Sequence, residues 1–166
     1  MEPFNEKQEA RNSSWKLLYI PIAAAWIFTT YLNNGGIEEQ LLFWLIGLGI
    51  TLILVVLIKV LNLHTQIDEN GISVKFSLLM SKQKKFLWDN ISRAEIKKYS
   101  PITEYGGWGY RLGLFTKKRA YSISGNIGLE LTLKNGQTVM IGTKRAEEMQ
   151  AYLQYLKSAH QNAAIK

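Results

Sequence analysis

The chain has 166 residues, which is enough for one ordinary domain and some additional segments. It contains no cysteine, and this excludes disulfide frameworks, thiolate metal sites and cysteine nucleophiles. The net charge is +7, but residues 62–166 hold 16 basic and 8 acidic side chains, whereas residues 17–37 and 41–58 hold no charge at all. The sequence therefore divides into an apolar part and a basic, water-soluble part.

The first predicted elements are two apolar helices that follow an N-terminal segment, residues 1–14. A helix rises about 1.5 Å per residue and a bilayer core is about 30 Å thick, so a span needs about 20 apolar residues. We predict transmembrane helices at about 15–33 and 41–61, with a short loop at 34–40. A buried hairpin of a soluble protein fits less well, because neither helix has a polar face. A cleaved signal peptide also fits less well, because a second span follows closely.

The charges around these helices predict their direction in the membrane. Lys7, Arg11 and Lys16 precede the first helix, and Lys59 with the basic part follows the second. The loop between them, NNGGIEEQ, holds two glutamates and no basic residue. Cytoplasmic loops are enriched in Lys and Arg. We therefore expect a multi-pass protein of the plasma (inner) membrane with both termini in the cytoplasm and the loop outside.

Residues 62–166 have the pattern of short strands. Asn-Gly turns between alternating apolar residues predict hairpins at Asp68–Gly71 and at residues 134–137, because both central residues tolerate positive φ. Further strands are predicted at residues 84–88 and 91–99, on either side of a turn at Asp89-Asn90.

One amphipathic helix is predicted after the last strand. Thr143 is a suitable N-terminal cap, and the apolar residues that follow it recur at helical spacing: Met149, Tyr152, Leu153 and Leu156. The predicted fold class is α+β: a transmembrane helical hairpin followed by an antiparallel β-barrel or sandwich with a C-terminal capping helix.

This arrangement resembles the bacterial two-helix membrane proteins that carry a pleckstrin-homology-like (PH-like) domain. The resemblance is carried by FLWDNI (86–91), PITEYGGWGYR (101–111) and AYSISGNIGLELTLKNGQTVMIGT (120–143). It implies a domain of seven strands and a helix over about residues 64–157, and it implies homo-oligomers. Phosphoinositide-binding PH domains use a basic loop between their first two strands. The predicted connection here, Asp68–Gly71, is acidic, so no phosphoinositide-specific binding is expected.

The glycine-rich stretch YGGWGYR (105–111) is the first candidate site. It lacks the spacing of a dinucleotide-binding fingerprint, and strand-like sequence follows it where that fingerprint requires a helix. One interpretation is a tight turn whose glycines permit unusual backbone angles and whose aromatic residues pack. The other is a contact with a protein partner or the lipid interface. The candidate contact residues are Tyr105, Trp108, Tyr110 and Arg111.

Clusters of basic residues are the second candidate. Each basic side chain near an anionic leaflet contributes about 1 kcal/mol, so a tethered domain can lie on the membrane. The candidates for contact with anionic lipid headgroups are Lys82, Lys84, Lys85, Lys97, Lys98, Lys117, Lys118 and Arg119. A solvated surface is the plain alternative. Nucleic-acid binding has no recognised motif in the chain.

No catalytic, cofactor-binding or metal-binding residue is predicted, since no hydrolase or metalloprotease motif is present and His64 and His160 are far apart in the sequence. The sequence favours a non-catalytic, membrane-anchored binding or assembly module at the cytoplasmic face. An accessory subunit of a transporter or other membrane complex, held through its spans, is the alternative. A membrane-bound enzyme is a third hypothesis.

Overall fold

A computed structural model describes residues 2–10, 19–32, 37–77, 80, 82–112, 117–160 and 164–165. The chain forms two compact units. One is the apolar unit, Ala10–Leu61, and the other is the β-rich unit, which combines Met1–Glu9 with Asn62–Lys166.

The apolar unit contains two helices, α1 (Tyr19–Leu32) and α2 (Ile37–Val60). Among the described residues, α2 is the one helix that is long and apolar enough to cross a membrane by length and composition. The 14 residues of α1 extend about 21 Å, which is short of a bilayer core. The predicted first span also includes residues 15–18 and 33, which lie outside the described residues. Helix α2 begins at Ile37, so residues 37–40 of the predicted connecting segment are helical in the structure.

A tryptophan packs against a glycine where α1 meets α2. The Trp26 ring lies so close to Gly47 that an added Cβ would be 2.7 Å from it. The Trp26 Nε1–H donates to Thr51 Oγ1 at 3.2 Å, and the Thr51 hydroxyl donates to the Gly47 carbonyl at 2.9 Å. The Trp44 ring meets Trp26 edge-on at 5.0 Å. Small residues permit such close helix approach inside membranes, and hydroxyl hydrogen bonds strengthen it.

The β-rich unit has nine strands in the described residues, arranged in two sheets. The first sheet has the order β1 (Phe4–Glu9), β2 (Asn62–Asp68), β3 (Gly71–Phe76) and β4 (Lys84–Leu87). The second contains β5 (Ile91–Lys98), β6 (Gly109–Leu112), β7 (Lys118–Ser122), β8 (Ile127–Leu133) and β9 (Thr138–Gly142), in the order β5-β8-β9-β7-β6. Two helices complete the unit, the short α3 (Pro101–Tyr105) and the C-terminal α4 (Ala146–His160).

Strand β1 was not predicted, because residues 1–14 were assigned only as an N-terminal segment. It lies antiparallel to β2, with Glu9 opposite Asn62. Its sequence, FNEKQE, is too polar to indicate a strand, and two of its three inward positions hold Glu6 and Gln8. The apolar unit is therefore inserted between two neighbouring strands of one sheet.

The predicted hairpins are confirmed as β2–β3 and β8–β9. In the first, the Asp68 carboxylate accepts hydrogen bonds from the backbone N–H groups of Asn70 and Gly71 at 2.8 and 3.0 Å. The predicted strands at 84–88 and 91–99 are confirmed as β4 and β5, and a 3₁₀ turn at Trp88–Asn90 joins them. Because β1 precedes β2, the acidic turn connects the second and third strands of the unit and not the first two.

The two sheets stay separate, and no strand pairing among the described residues closes them into a barrel. The α+β class is confirmed, but the barrel form of the prediction is not. Strands β7 and β9 also run parallel, which departs from the all-antiparallel expectation. The two inward faces supply the core, as the edge-on contact between Phe86 of β4 and Tyr121 of β7 at 6.5 Å illustrates.

The C-terminal helix matches its prediction. Thr143 Oγ1 accepts the backbone N–H of Arg145 at 3.0 Å in the turn before α4, whose first helical residue is Ala146. The predicted apolar stripe is buried: Met149, Tyr152, Leu153 and Leu156. After α4, the chain meets the free edge of β5, where Ala94 N–H donates to the Ala164 carbonyl at 2.7 Å.

Candidate functional site

The glycine-rich loop follows α3, a helix that the sequence did not predict. Gly106 ends this helix with a left-handed φ of 72°, and its N–H donates to the Ile102 carbonyl at 2.9 Å. Gly107 and Gly109 also have positive φ, 117° and 113°. An L side chain rarely adopts these angles, so the backbone alone accounts for the three glycines.

All four predicted contact residues of the loop have partners within the chain. The Tyr105 ring meets Tyr99 edge-on at 5.9 Å, and Tyr110 stacks on Tyr121 at 5.1 Å. The Trp108 Nε1–H donates to the Gly125 carbonyl at 2.9 Å, and Arg111 Nε–H donates to the Trp108 carbonyl at 3.1 Å. These contacts favour the interpretation of the loop as a packed turn. Arg111 keeps an exposed side chain, so its role in partner contact stays a prediction.

The eight predicted basic residues do not form one patch. In the second sheet, β8 and β9 separate β5 from β7, so Lys97 and Lys98 are apart from Lys118 and Arg119. Some of the eight have acidic neighbours. Lys97 Nζ lies 2.8 Å from Glu130, and Lys85 Nζ lies 4.0 Å from Asp68. The exposed members of the eight are Lys82, Lys85, Lys98, Lys117 and Lys118.

Lys84 and Arg119 differ from the rest because both occupy inward-facing positions. Lys84 lies opposite Val74 and shares its strand face with Phe86, and both of these are buried. Its ammonium lies 5.5 Å from the centre of the Phe86 ring. Burial lowers the pKa of Lys84, and the positive charge of Arg119 lowers it further. The structure therefore brings these two cations together from different sheets.

The buried Tyr121 and the partly buried Tyr105 remain protonated at physiological pH. Burial raises the pKa of Tyr121 to about 12, with a further contribution from Tyr110. Burial also raises the pKa of Tyr105 to about 12, and nearby Glu130 and Glu104 add to this effect. These phenols can donate hydrogen bonds, but they are far from the pKa that a general base needs near neutral pH.

A buried polar network ties β1 to the rest of the β-rich unit, and sequence reasoning missed it. Glu6 is 3% exposed, and its carboxylate accepts hydrogen bonds from the Thr143 hydroxyl at 2.6 Å and the Lys144 N–H at 2.8 Å. The side-chain amide of Gln8 donates to the Gly142 carbonyl at 2.6 Å. Only the capping role of Thr143 had a sequence signal, because the partners lie at opposite ends of the chain.

No group of three or more His, Asp or Glu side chains is arranged to hold a metal ion within the described part of the chain. Comparisons with protein-family models, curated proteins and solved structures gave no match.

Proposed function

We propose that the protein is a non-catalytic, membrane-anchored binding and assembly module. Its β-rich unit is PH-like, as the sequence resemblance implies, and it works at the cytoplasmic face of the plasma membrane. The observation that carries this proposal is the pairing of β1 with β2 on either side of the apolar unit.

This pairing constrains how the chain can cross a membrane. Strands β1 and β2 belong to one sheet, so residues 4–9 and 62–68 must lie on the same side of any bilayer. A chain that returns to its starting side crosses an even number of times. If α2 crosses, the segment before it must cross too, and α1 with its flanking residues is the segment available. This supports the two predicted spans despite the short length of α1.

The surface of α2 supports a lipid environment. Only 6% of the 18-residue apolar stretch of α2 is buried within the chain, whereas a core helix of a soluble protein is mostly buried. Large apolar side chains are exposed on all sides of α2, among them Leu42, Phe43, Ile46 and Ile53. Exposed apolar patches of this extent mark contact with a membrane or a partner.

The charges support the direction. The β-rich unit is basic, and the first turn of α2 carries Glu38 and Glu39 with no basic residue nearby in sequence. Lys and Arg are enriched on the cytoplasmic side. In this proposal the β-rich unit and the N terminus are cytoplasmic, and the segment before α2 is external.

Anchoring explains why such a unit can function with modest intrinsic affinity. A tethered domain meets other membrane-bound proteins at a high effective concentration. The loop that presents Arg111 is fixed by its packing, and a rigid surface loses less entropy when it binds. A membrane protein, including a second copy of the chain, is the partner that fits this arrangement.

Site-specific crosslinking in native membranes tests this proposal. A photoreactive amino acid replaces Arg111 in the loop, and a second variant carries it at Asn135 in the exposed β8–β9 turn as a matched control. We expect the Arg111 position to give a discrete adduct with a membrane protein or a second copy, at higher yield than the Asn135 position. A third variant carries the photoreactive residue at the exposed Phe43 of α2. Adducts obtained only from the Phe43 position would contradict the proposal and favour a subunit held through its spans.

A further inference from the structure

We propose that Lys84 and Arg119 form a binding site for a phosphate-type anion where β4 of the first sheet meets β7 of the second. The site lies wholly within the β-rich unit. It therefore does not depend on the membrane topology proposed above.

The strand order places both residues at the same side of the two-sheet arrangement. Strand β4 is an edge of the first sheet, and β6 is an edge of the second, with β7 next to it. The contact between Phe86 of β4 and Tyr121 of β7 places the β4 edge of the first sheet next to β7, the neighbour of the β6 edge. No third layer of strands covers this edge in the described residues.

The register directs both cations inward. Residues opposite each other in a sheet share a face, and side chains alternate along a strand. Lys84 is opposite Val74, and Arg119 is opposite Val139, and both valines are fully buried. Charged side chains are rare at such positions unless they are paired.

Neither cation has an acidic partner among the described residues. Other basic residues of the unit do have one, as the pairs Lys97–Glu130 and Arg93–Glu95 show. The charged group that acts on Lys84 is Arg119, which has the same sign and lowers the Lys84 pKa. Two adjacent cations at inward positions are stabilised when an anion binds between them.

Aromatic side chains form the floor of this site. Phe86 and Tyr121 lie beneath the two cations, and Tyr110 stacks on Tyr121. Arg119 lies beside the Tyr121 hydroxyl, although no described atom meets that hydroxyl at hydrogen-bond geometry. Leu112 lies opposite Arg119 in the β6–β7 pair and is 52% exposed, so it supplies an apolar rim.

These groups suit a phosphate. A guanidinium presents a planar pair of donors to two phosphate oxygens, and an ammonium adds a compact charge. The same chemistry fits a phospholipid headgroup and a soluble phosphate. The plain alternative is that Lys84 is an inward charge that keeps the β4 edge from pairing with another chain.

Thermal unfolding of the full chain distinguishes these cases. The chain is placed in nanodiscs of zwitterionic phosphatidylcholine, and sodium phosphate is compared with sodium chloride at equal ionic strength. A second set of nanodiscs contains phosphatidylglycerol. The variants are Lys84→Gln, Arg119→Gln and, as a control with the same change of charge in the exposed β8–β9 turn, Lys134→Gln. Lys84→Arg keeps the positive charge. If Lys84→Arg still binds the anion, weaker binding by Lys84→Gln results from the lost charge and not from a loss of folding.

We expect phosphate or phosphatidylglycerol to raise the unfolding temperature of the wild type, of Lys134→Gln and of Lys84→Arg. Lys84→Gln and Arg119→Gln should bind at least about tenfold more weakly, because a hydrogen bond to a charged group is commonly worth such a factor. An increase with soluble phosphate in phosphatidylcholine assigns a soluble ligand, and an increase with phosphatidylglycerol alone assigns a headgroup. The proposal is wrong if neither anion raises the unfolding temperature, or if Lys84→Gln and Arg119→Gln respond to the anions like Lys134→Gln.

Discussion

At the scale of single residues, Glu6 is the one charged residue that is buried among the described residues, and it was not among the candidate residues predicted from the sequence. It joins β1 to the segment that begins α4, through Thr143 and Lys144. The Arg145 guanidinium adds to this junction, since it donates to the Asn5 carbonyl at 2.9 Å and lies 5.4 Å from the centre of the Phe4 ring.

Replacing Glu6 with Ala should lower the free energy of unfolding of the β-rich unit by about 2–4 kcal/mol. The Thr143 hydroxyl and the Lys144 N–H would lose a charged acceptor in a buried place. Asn5→Ala is the control, because Asn5 is exposed and its contact to Arg145 uses the backbone, and its effect should stay within about 0.5 kcal/mol. Urea unfolding of the full chain in detergent measures both values. Equal effects of the two substitutions would refute the role assigned to Glu6.

A histidine on the outer face of β2 gives the β-rich unit a pH dependence. His64 lies opposite Lys7 on one side and Lys75 on the other. Burial lowers the pKa of His64 from its ordinary value of 6.5, both lysines lower it further, and Glu9 opposes them.

A lowered folded-state pKa means that the unfolded chain takes up the proton first as the pH falls. His64 should therefore not change the free energy of unfolding above pH 6.5. Below pH 6.5 the free energy of unfolding should decrease, and the decrease should continue until the pH has fallen past the lowered pKa of His64 in the folded chain. His64→Gln should flatten this part of the profile, and Lys75→Gln should flatten it in part. The profile is measured by urea unfolding between pH 5 and 8, roughly the range over which histidine titrates. A wild-type profile identical to that of His64→Gln would exclude this effect.

At the scale of elements, the sequence predicted those that depend on local signals. The Asn-Gly turns located two hairpins, and a cap with an apolar stripe located α4. Strand β1 was missed because Glu6 and Gln8 occupy inward positions through partners that are distant in sequence. Helix α3 was missed because its five residues are too few for a periodic pattern to be visible.

The packing of α1 on α2 depends on Gly47. A Cβ there would lie 2.7 Å from the Trp26 ring, whereas nothing lies within 4 Å of the corresponding position at Gly49. Gly47→Ala should therefore weaken the helix pair by about 1–3 kcal/mol through overpacking, and Gly49→Ala should have little effect. Resistance of the full chain to unfolding by SDS, followed by tryptophan fluorescence, compares these matched variants. A loss of stability with Gly49→Ala as large as that with Gly47→Ala would rule out this contact.

In the candidate sites, too, some features follow from the local sequence and others depend on contacts between residues that are distant in sequence. Charge alone marked eight basic residues, but it could not distinguish the inward pair, Lys84 and Arg119, from residues in ion pairs or at exposed ends. That distinction depends on strand register and on which edges of the two sheets meet. The glycine-rich loop was marked correctly as unusual backbone, but the partners of its aromatic side chains were not visible in the sequence.

At the scale of the whole molecule, the apolar unit is an insertion between two neighbouring strands of the β-rich unit. The sequence predicted the apolar segments and the basic unit, but not the insertion, because the pairing of Glu9 with Asn62 joins residues on either side of the entire apolar unit. The insertion has a direct consequence for topology. If the apolar unit crosses a membrane, β1 and the remainder of the β-rich unit must lie on the same side of it.

Cysteine accessibility tests whether the N terminus and the β-rich unit lie on the same side of the membrane. The sequence contains no cysteine, so each introduced cysteine reports on its own position. Single cysteines replace three exposed residues: Glu2, Glu38 and Asn135. In intact cells, a membrane-impermeant maleimide should label only the Glu38 position, and all three positions should react after permeabilisation. Labelling of the Asn135 position in intact cells, or labelling of the Glu2 and Asn135 positions from opposite sides, would contradict the account.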